Sequence, residues 1–160
     1  MNKQDNKLSF VQVTGEPELI ESIFLILKLS GEDMYTNQGL EHWRTPYSTE
    51  SIKKDCKDKS VFLVQQESSA IATFQLMPDD KGLLLSKFSV LPSYAGQGIG
   101  KKCLDYIFEK CTTEKTKVLH LSVFDKSEKA IRFYLNNGFE ITGASLTRRF
   151  RVLLMEKHFV

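Results

Sequence analysis

Between residues 83 and 112 the chain runs from an apolar extended stretch, through alternating glycines, into an amphipathic helix. Leu83-Leu84-Leu85-Ser86-Lys87-Phe88-Ser89-Val90-Leu91 reads as a strand that Pro92 stops. Gly96, Gly98 and Gly100 follow, and Ile99, Cys103, Leu104, Ile107, Phe108 and Cys111 recur at helical spacing over Ile99 to Thr112. A helix start leaves four backbone N–H groups without intrahelical partners and carries partial positive charge. Glycine lets a ligand approach that backbone closely. The segment thus predicts a pocket for phosphate or pyrophosphate, to which Lys101 and Lys102 add formal charge. A plain glycine-rich connector is the competing account, and the strand before and periodic helix after argue against it. Two nucleotide patterns fail here. GxGxxG needs a glycine where Lys101 stands, and GxxxxGK[ST] is broken by Ala95 and Lys102. A kinase-like nucleotide binder is disfavoured accordingly.

The rest of the chain supplies a layered α/β pattern. Leu8 to Val13 alternates as a first strand. Glu16-Pro17-Glu18 opens a helix whose Leu19, Ile20, Ile23, Phe24 and Leu27 share one face, with Gly31 as its expected C-cap. Leu40 to Arg44 suggests a helical turn, and Ser48 caps a helix running to about Asp58. Val61 to Val64 and Ala70 to Leu76 form a hairpin around Glu67-Ser68-Ser69, and Pro78-Asp79-Asp80-Lys81-Gly82 turns the chain into the strand at 83. These three strands make an antiparallel meander. After the glycine-loop helix come a strand at Val118 to Phe124, a helix at Ser127 to Asn137 and strands near 139–147 and 150–158. The expectation is a single domain, residues 1–160, with a mixed α/β sheet flanked by helices.

Composition narrows the function classes. At 160 residues and 41% hydrophobic, the chain suits one domain and can bury a core without a staple. No stretch approaches the ~20 apolar residues of a membrane span, and the first seven residues lack the apolar core of a secretory signal. Cys56, Cys103 and Cys111 cannot all pair, and none has metal-ligand spacing, so free thiols in a reducing cytoplasm are expected and no metal is. Residues 1–100 hold 10 Lys/Arg and 13 Asp/Glu, residues 101–160 hold 12 and 7, giving −3 and +5. The basic second half suits a phosphorylated ligand but is too sparse for a nucleic-acid binder.

Two segments resemble a known family. Residues 88–101 look like motif A of the GNAT N-acetyltransferases, [Q/R]-x-x-G-x-[G/A], and Ser127-Glu128-Lys129-Ala130-Ile131-Arg132-Phe133-Tyr134-Leu135-Asn136-Asn137-Gly138-Phe139 looks like their N-x-x-A-i-x-x-Y-x-x-x-G-F region. The resemblance spans roughly residues 8–158, with its specificity in 83–139. It implies a mostly antiparallel central sheet flanked by helices, acetyl-CoA as co-substrate, and a primary amine as acceptor attacked directly in a ternary complex. It also implies roles for particular residues. The backbone of Phe88, Ser89 and Val90 would pair with the pantetheine arm, one amide there facing the thioester carbonyl. The amides of Gly96, Gln97, Gly98, Ile99, Gly100 and Lys101 would hold the pyrophosphate. Tyr134 would protonate the departing thiolate, a phenol with pKa about 10 being protonated at neutral pH. Two positions depart from the pattern: Ala95 stands where Gln or Arg is usual, and Ser127 replaces the common Asn at the cofactor.

The acceptor side is less defined. No carboxylate lies between Leu83 and Leu91, and Ser122 stands where some relatives place a strand-five Glu. His120 shares parity with Ser122 and could relay a proton, although a structural histidine is the simpler account; His42 and His158 are weaker candidates. Gly39 to Tyr47 lies where the family builds its acceptor pocket, and Trp43 is either lining for that pocket or simple core packing. Glu32, Asp33 and Glu41 could attract a polyamine, an aminoglycoside or a lysine side chain, although solvated surface charge is the commoner account of such residues. Relatives leave a homodimer open. The alternative to an enzyme is a catalytically idle CoA-binding sensor or interaction module.

Overall fold

A computed structural model describes residues 7–40, 47–147 and 150–160. The sequence readings on Glu41, His42, Trp43 and the turn to Arg44 lie outside the described residues. Seven strands form one sheet in the order β1-β2-β3-β4-β5-β7-β6. They are β1 (Leu8–Val13), β2 (Ser60–Gln66), β3 (Ser69–Pro78), β4 (Leu83–Val90), β5 (Val118–Phe124), β6 (Glu140–Leu146) and β7 (Arg151–His158). β1 to β4 pair antiparallel, as do β5 with β7 and β7 with β6, while β4 and β5 run parallel. The helices are α1 (Pro17–Gln38), α2 (Thr49–Asp58), α3 (Ile99–Thr113) and α4 (Glu128–Asn136).

Strand alternation sorts the helices into two layers. Val61 and Leu63 of β2 pack with Ile20, Ile23 and Leu27 of α1 and Ile52 of α2. Phe62 and Val64 point the other way and pack with Ile99, Leu104 and Ile107 of α3. Partly buried Ala130, Phe133 and Tyr134 of α4 close the same side. The sheet is thus the middle of a three-layer sandwich, and its two faces carry separate cores. Among the described residues no helix is long and apolar enough to cross a membrane.

α1 runs about two turns past its expected end. Gly31 is a buried helical residue rather than a cap, because Ser30 and Gly31 continue the stripe of Ile20, Ile23 and Leu27. The real C-cap is Gly39 at φ 68°, whose amide donates to Tyr35 O while Leu40 N donates to Met34 O. α2 begins as expected. Ser51 N donates to Ser48 Oγ at 3.0 Å, and Ser48 N donates to Ser51 Oγ at 3.2 Å, so Ser51 completes a capping box in place of Glu.

The decisive irregularity is in β4. Thr73 pairs with Ser89 and Gln75 with Ser86, which leaves Lys87 and Phe88 together opposite Phe74. Lys87 takes the left-handed conformation at φ 48°, the mark of a bulge. The extra residue resets strand parity. Leu83 and Leu85 before it, and Phe88 and Val90 after it, all belong to the α3-side core. β4 also meets β5 only at Leu83↔Leu119 and Leu84↔His120. Beyond those pairs the two parallel strands are unpaired with each other, and the edge of β4 over residues 87–90 is open.

Candidate active site

A cavity of about 440 Å³ lies where β4 opens. Its walls are Phe88 and Val90 of β4, residues 94–96 and 98–101 of the loop and helix start, and Lys129, Ala130, Phe133 and Tyr134 of α4. The loop is shaped by its glycines. Gly96 and Gly98 sit at φ 76° and 77°, a region side chains seldom adopt, and a Cβ on either would meet no atom within 4 Å. Gly98 is the N-cap of α3, and the first helical bond runs from Lys102 N to Gly98 O at 3.1 Å. Amides of residues 96–101 have no backbone acceptor among the described residues. Gly100 serves packing: a Cβ there would sit 3.0 Å from the Phe133 ring. The rim is therefore main chain, donor-rich and open to a ligand.

A second cavity, of about 160 Å³, lies on the far side of β4. α1 contributes Leu27, Ser30, Gly31 and Met34; β4 contributes Leu85 through Ser89; β5 contributes Leu121 through Val123. Small Ser30 and Gly31 leave room between helix and sheet, and Ser30 Oγ donates to Val90 O at 3.2 Å. Lys87 reaches this cavity from the bulge. Its ammonium donates to Asp55 Oδ2 of α2 and lies 4.8 Å from the centre of the Tyr47 ring. Gln75 Nε2 donates to the same carboxylate oxygen at 3.1 Å. Burial works against charge on Asp55, but the bonds from Lys87 and Gln75 outweigh it and hold its carboxyl below the ordinary value. Burial pushes the Tyr47 phenol up, helped by the Asp55 charge. Ser86 Oγ is buried on the cavity wall without a partner.

Tyr134 lines both cavities, as do Phe88, Lys129 and Ala130. Its ring stands between Phe133 and Phe139, with centroids 5.3 Å away on each side. Burial pushes its phenol well above the usual value, so it stays protonated. No residue among those described hydrogen-bonds its hydroxyl, which leaves that donor available at the junction.

The scan against protein families matches the acetyltransferase (GNAT) domain over residues 57–141. That match takes in β2 through the start of β6. The chain belongs to the GNAT acetyltransferase family. A segment of 74 residues is 34% identical to an uncharacterized N-acetyltransferase of Mycobacterium bovis and covers 46% of each chain. The chain therefore spans about half the length of the curated relatives it matches. Solved structures show the same GNAT fold. The PaiA N-acetyltransferase of Thermoplasma acidophilum, in complex with coenzyme A, superposes with a TM-score of 0.79 at 20% identity, covering 96% of this chain and 99% of that one. The ribosomal-protein-S18-alanine N-acetyltransferase of Escherichia coli gives 0.76 at 16% identity over 95% and 94%. A GNAT acetyltransferase of Elizabethkingia anophelis with acetyl-CoA bound gives 0.69 at 16% over 98% and 100%.

Within this GNAT domain the expected residues distribute unevenly. Phe88, Val90, Gly96, Gly98, Ile99, Gly100, Lys101 and Tyr134 meet at the larger cavity, together with Ala95. Ser89 and Ser127 line the smaller one, and Gln97 lines neither. Ser127 is buried, and its hydroxyl makes no cap bond. His120 lies outside both cavities and pairs through Nε2 with Asp79 Oδ2 at 2.7 Å. Glu32 and Asp33 line neither cavity, and Asp33 is occupied by Asn37 Nδ2 at 2.6 Å. Sequence reading missed Lys87, Asp55 and Lys129, whereas Tyr47, the end of the segment read as acceptor pocket, lines the smaller cavity. The left-handed bulge that aims Lys87 leaves no glycine or asparagine to betray it. Burial pushes the Cys103 thiol up to about 12 and the Cys111 thiol to about 11, which keeps both protonated and unreactive.

Proposed function

We propose that this chain is an acetyl-CoA-dependent N-acetyltransferase that acetylates a primary amine by direct transfer. The observation that carries the reading is the meeting of two cavities at one unbonded tyrosine hydroxyl. The larger cavity suits the co-substrate. Free amides of residues 96–101 are donors for a diphosphate, and their αL glycines leave a cradle that a Cβ would fill. The open edge of β4 over Phe88, Ser89 and Val90 is a template for the amide groups of a pantetheine arm, paired as a strand would be. Bound acetyl-CoA supplies an acyl group activated as a thioester.

The chain's own residues then have separate tasks. A β4 amide donates to the acyl carbonyl oxygen as negative charge gathers there, a contribution of about 3 kcal/mol for one such donor. Tyr134 donates its hydroxyl proton toward the departing sulfur. Phe133 and Phe139 hold the Tyr134 ring between them, and Phe88 shares both cavity walls with it. The smaller cavity holds the acceptor with its nitrogen toward the same junction.

A catalytically idle acyl-CoA binder is the second reading, favoured by one fact: among the described residues no carboxylate lines the smaller cavity to take the amine's proton. Thiol release from acetyl-CoA, followed across an amine panel, separates the two. Amine-dependent release supports the transferase. Thermal stabilisation by acetyl-CoA with release on no amine favours the idle binder, and no stabilisation at all defeats both.

A further inference from the structure

We infer that the acceptor is a small amine that itself bears a carboxylate, an amino-acid-like molecule, and that Lys87 and Lys129 select it. The inference rests on the transferase reading and deepens it.

Among the described residues, the charged side chains on the wall of the smaller cavity are cationic. Lys87 and Lys129 line it, and among the described residues no Asp or Glu does. Asp55 lies behind Lys87, where Lys87, Gln75 and Lys59 engage its oxygens, the last at 3.8 Å. That carboxylate is spent on the protein and is not free for an ammonium. Lys87 is only 19% exposed, yet an ammonium has three donors and Asp55 takes one. Ser86 Oγ adds a buried, unpartnered hydroxyl on the same wall. Burying a hydroxyl without a partner is costly, so a ligand acceptor atom there relieves a penalty already present. Two cations and a free hydroxyl are the donor set of a carboxylate site.

The same charges address the proton problem. An amine must lose its proton before it attacks, and nearby positive charge disfavours the ammonium form. Lysines that hold the substrate's carboxylate therefore also lower the pKa of its amine, which lessens the need for a carboxylate base. A polyamine gains nothing here, since every further ammonium meets the same repulsion. Size agrees: about 160 Å³ of cavity is room enough for an amino acid.

Matched acceptors test this. Initial rates of thiol release are measured for leucine against isoamylamine, phenylalanine against phenethylamine, and for spermidine. The carboxylate-bearing member of each pair should lead in kcat/KM by about tenfold or more, the scale of one hydrogen bond to a charged group. Lys87→Met should bring that ratio toward one, and Lys87→Arg should keep it. Because Lys87→Met strips Asp55 of its partner, Lys129→Met on the exposed face of α4 carries the test if the first variant does not fold. Equal rates within the pairs, a preference for spermidine, or ratios unchanged in both lysine variants would overturn the inference while leaving the transferase intact. Release on no amine, with acetyl-CoA still stabilising the protein, would overturn the transferase reading and this one with it.

Discussion

The two cavities on either side of β4 are built from different materials. The larger is rimmed by main chain: six consecutive amides, two left-handed glycines and an open strand edge. The smaller is lined by side chains drawn from α1, β4, β5 and α4, which meet only after the sheet has formed. Main-chain donors tolerate almost any side chain around them, so the larger site is robust to substitution except at its glycines. The smaller depends on each side chain, which is where relatives with one fold can diverge in what they accept.

Tyr134, whose unbonded hydroxyl lies where the two meet, should show the largest effect. Tyr134→Phe is expected to lower kcat by about a hundredfold or more, the usual range for losing a positioned acid. Acetyl-CoA affinity should hold, since the phenyl ring keeps its contacts with Phe133 and Phe139. Equal loss of affinity and turnover would make Tyr134 a packing residue. Its raised pKa also fixes a sign: the rate should climb with pH as the acceptor amine deprotonates, with no decline near pH about 10 where an ordinary phenol ionises.

Gly98→Val is the next largest and should strike one cavity alone. At φ 77° a branched residue is strained by about 1–3 kcal/mol, and its side chain would enter the space open above the loop. Acetyl-CoA should bind more weakly by about tenfold or more, as isothermal calorimetry would read, while the acceptor KM stays close to the parent value. A rise in acceptor KM of the same size would mean that the two cavities are not separable.

This division also decides what could be read before the structure. Glycines at 96, 98 and 100 between a strand and a periodic helix announce a main-chain site, because backbone geometry demands glycine at 96 and 98 and close packing against Phe133 demands it at 100. Strand and helix limits from β2 to β7 followed from alternation and turns for the same local reason. Gly31 misled because a glycine inside a helix looks like one at its end until the neighbouring stripe is known to continue. Lys87 and Asp55 stand 32 residues apart and meet only because a bulge in β4 turns Lys87 toward α2. Nothing local to either residue encodes that meeting.

Asp55→Asn tests the side-chain half with a smaller expected effect. The amide keeps the shape but withdraws the counter-charge from Lys87, so the acceptor KM should change several-fold while acetyl-CoA binding does not. Stability should fall by about 1 kcal/mol, the scale of a partly exposed charged pair. Because Asp55 is held below the ordinary carboxylate value, its contribution is complete above that value and disappears as pH falls through the lowered one. The parent should therefore lose its advantage over the variant on acidification in a denaturation series. An advantage constant with pH would detach Asp55 from the Lys87 pair.

The smallest effect belongs to a residue outside both cavities. His120 sits at the paired end of β5, opposite Leu84, and its imidazole contacts Asp79 in the turn between β3 and β4. Asp79 is meanwhile capping its own turn, accepting from Lys81 N and Gly82 N at 3.0 Å each. His120→Gln should cost about 1 kcal/mol or less, the scale of a single side-chain hydrogen bond. It should leave kcat/KM unchanged at every pH, because no group of the junction touches His120. Loss of an acidic limb in the variant's rate profile would instead make His120 the proton acceptor. The boundary between the catalytic opening of β4 and β5 and their structural closure would then have to move down the strands to include that pair.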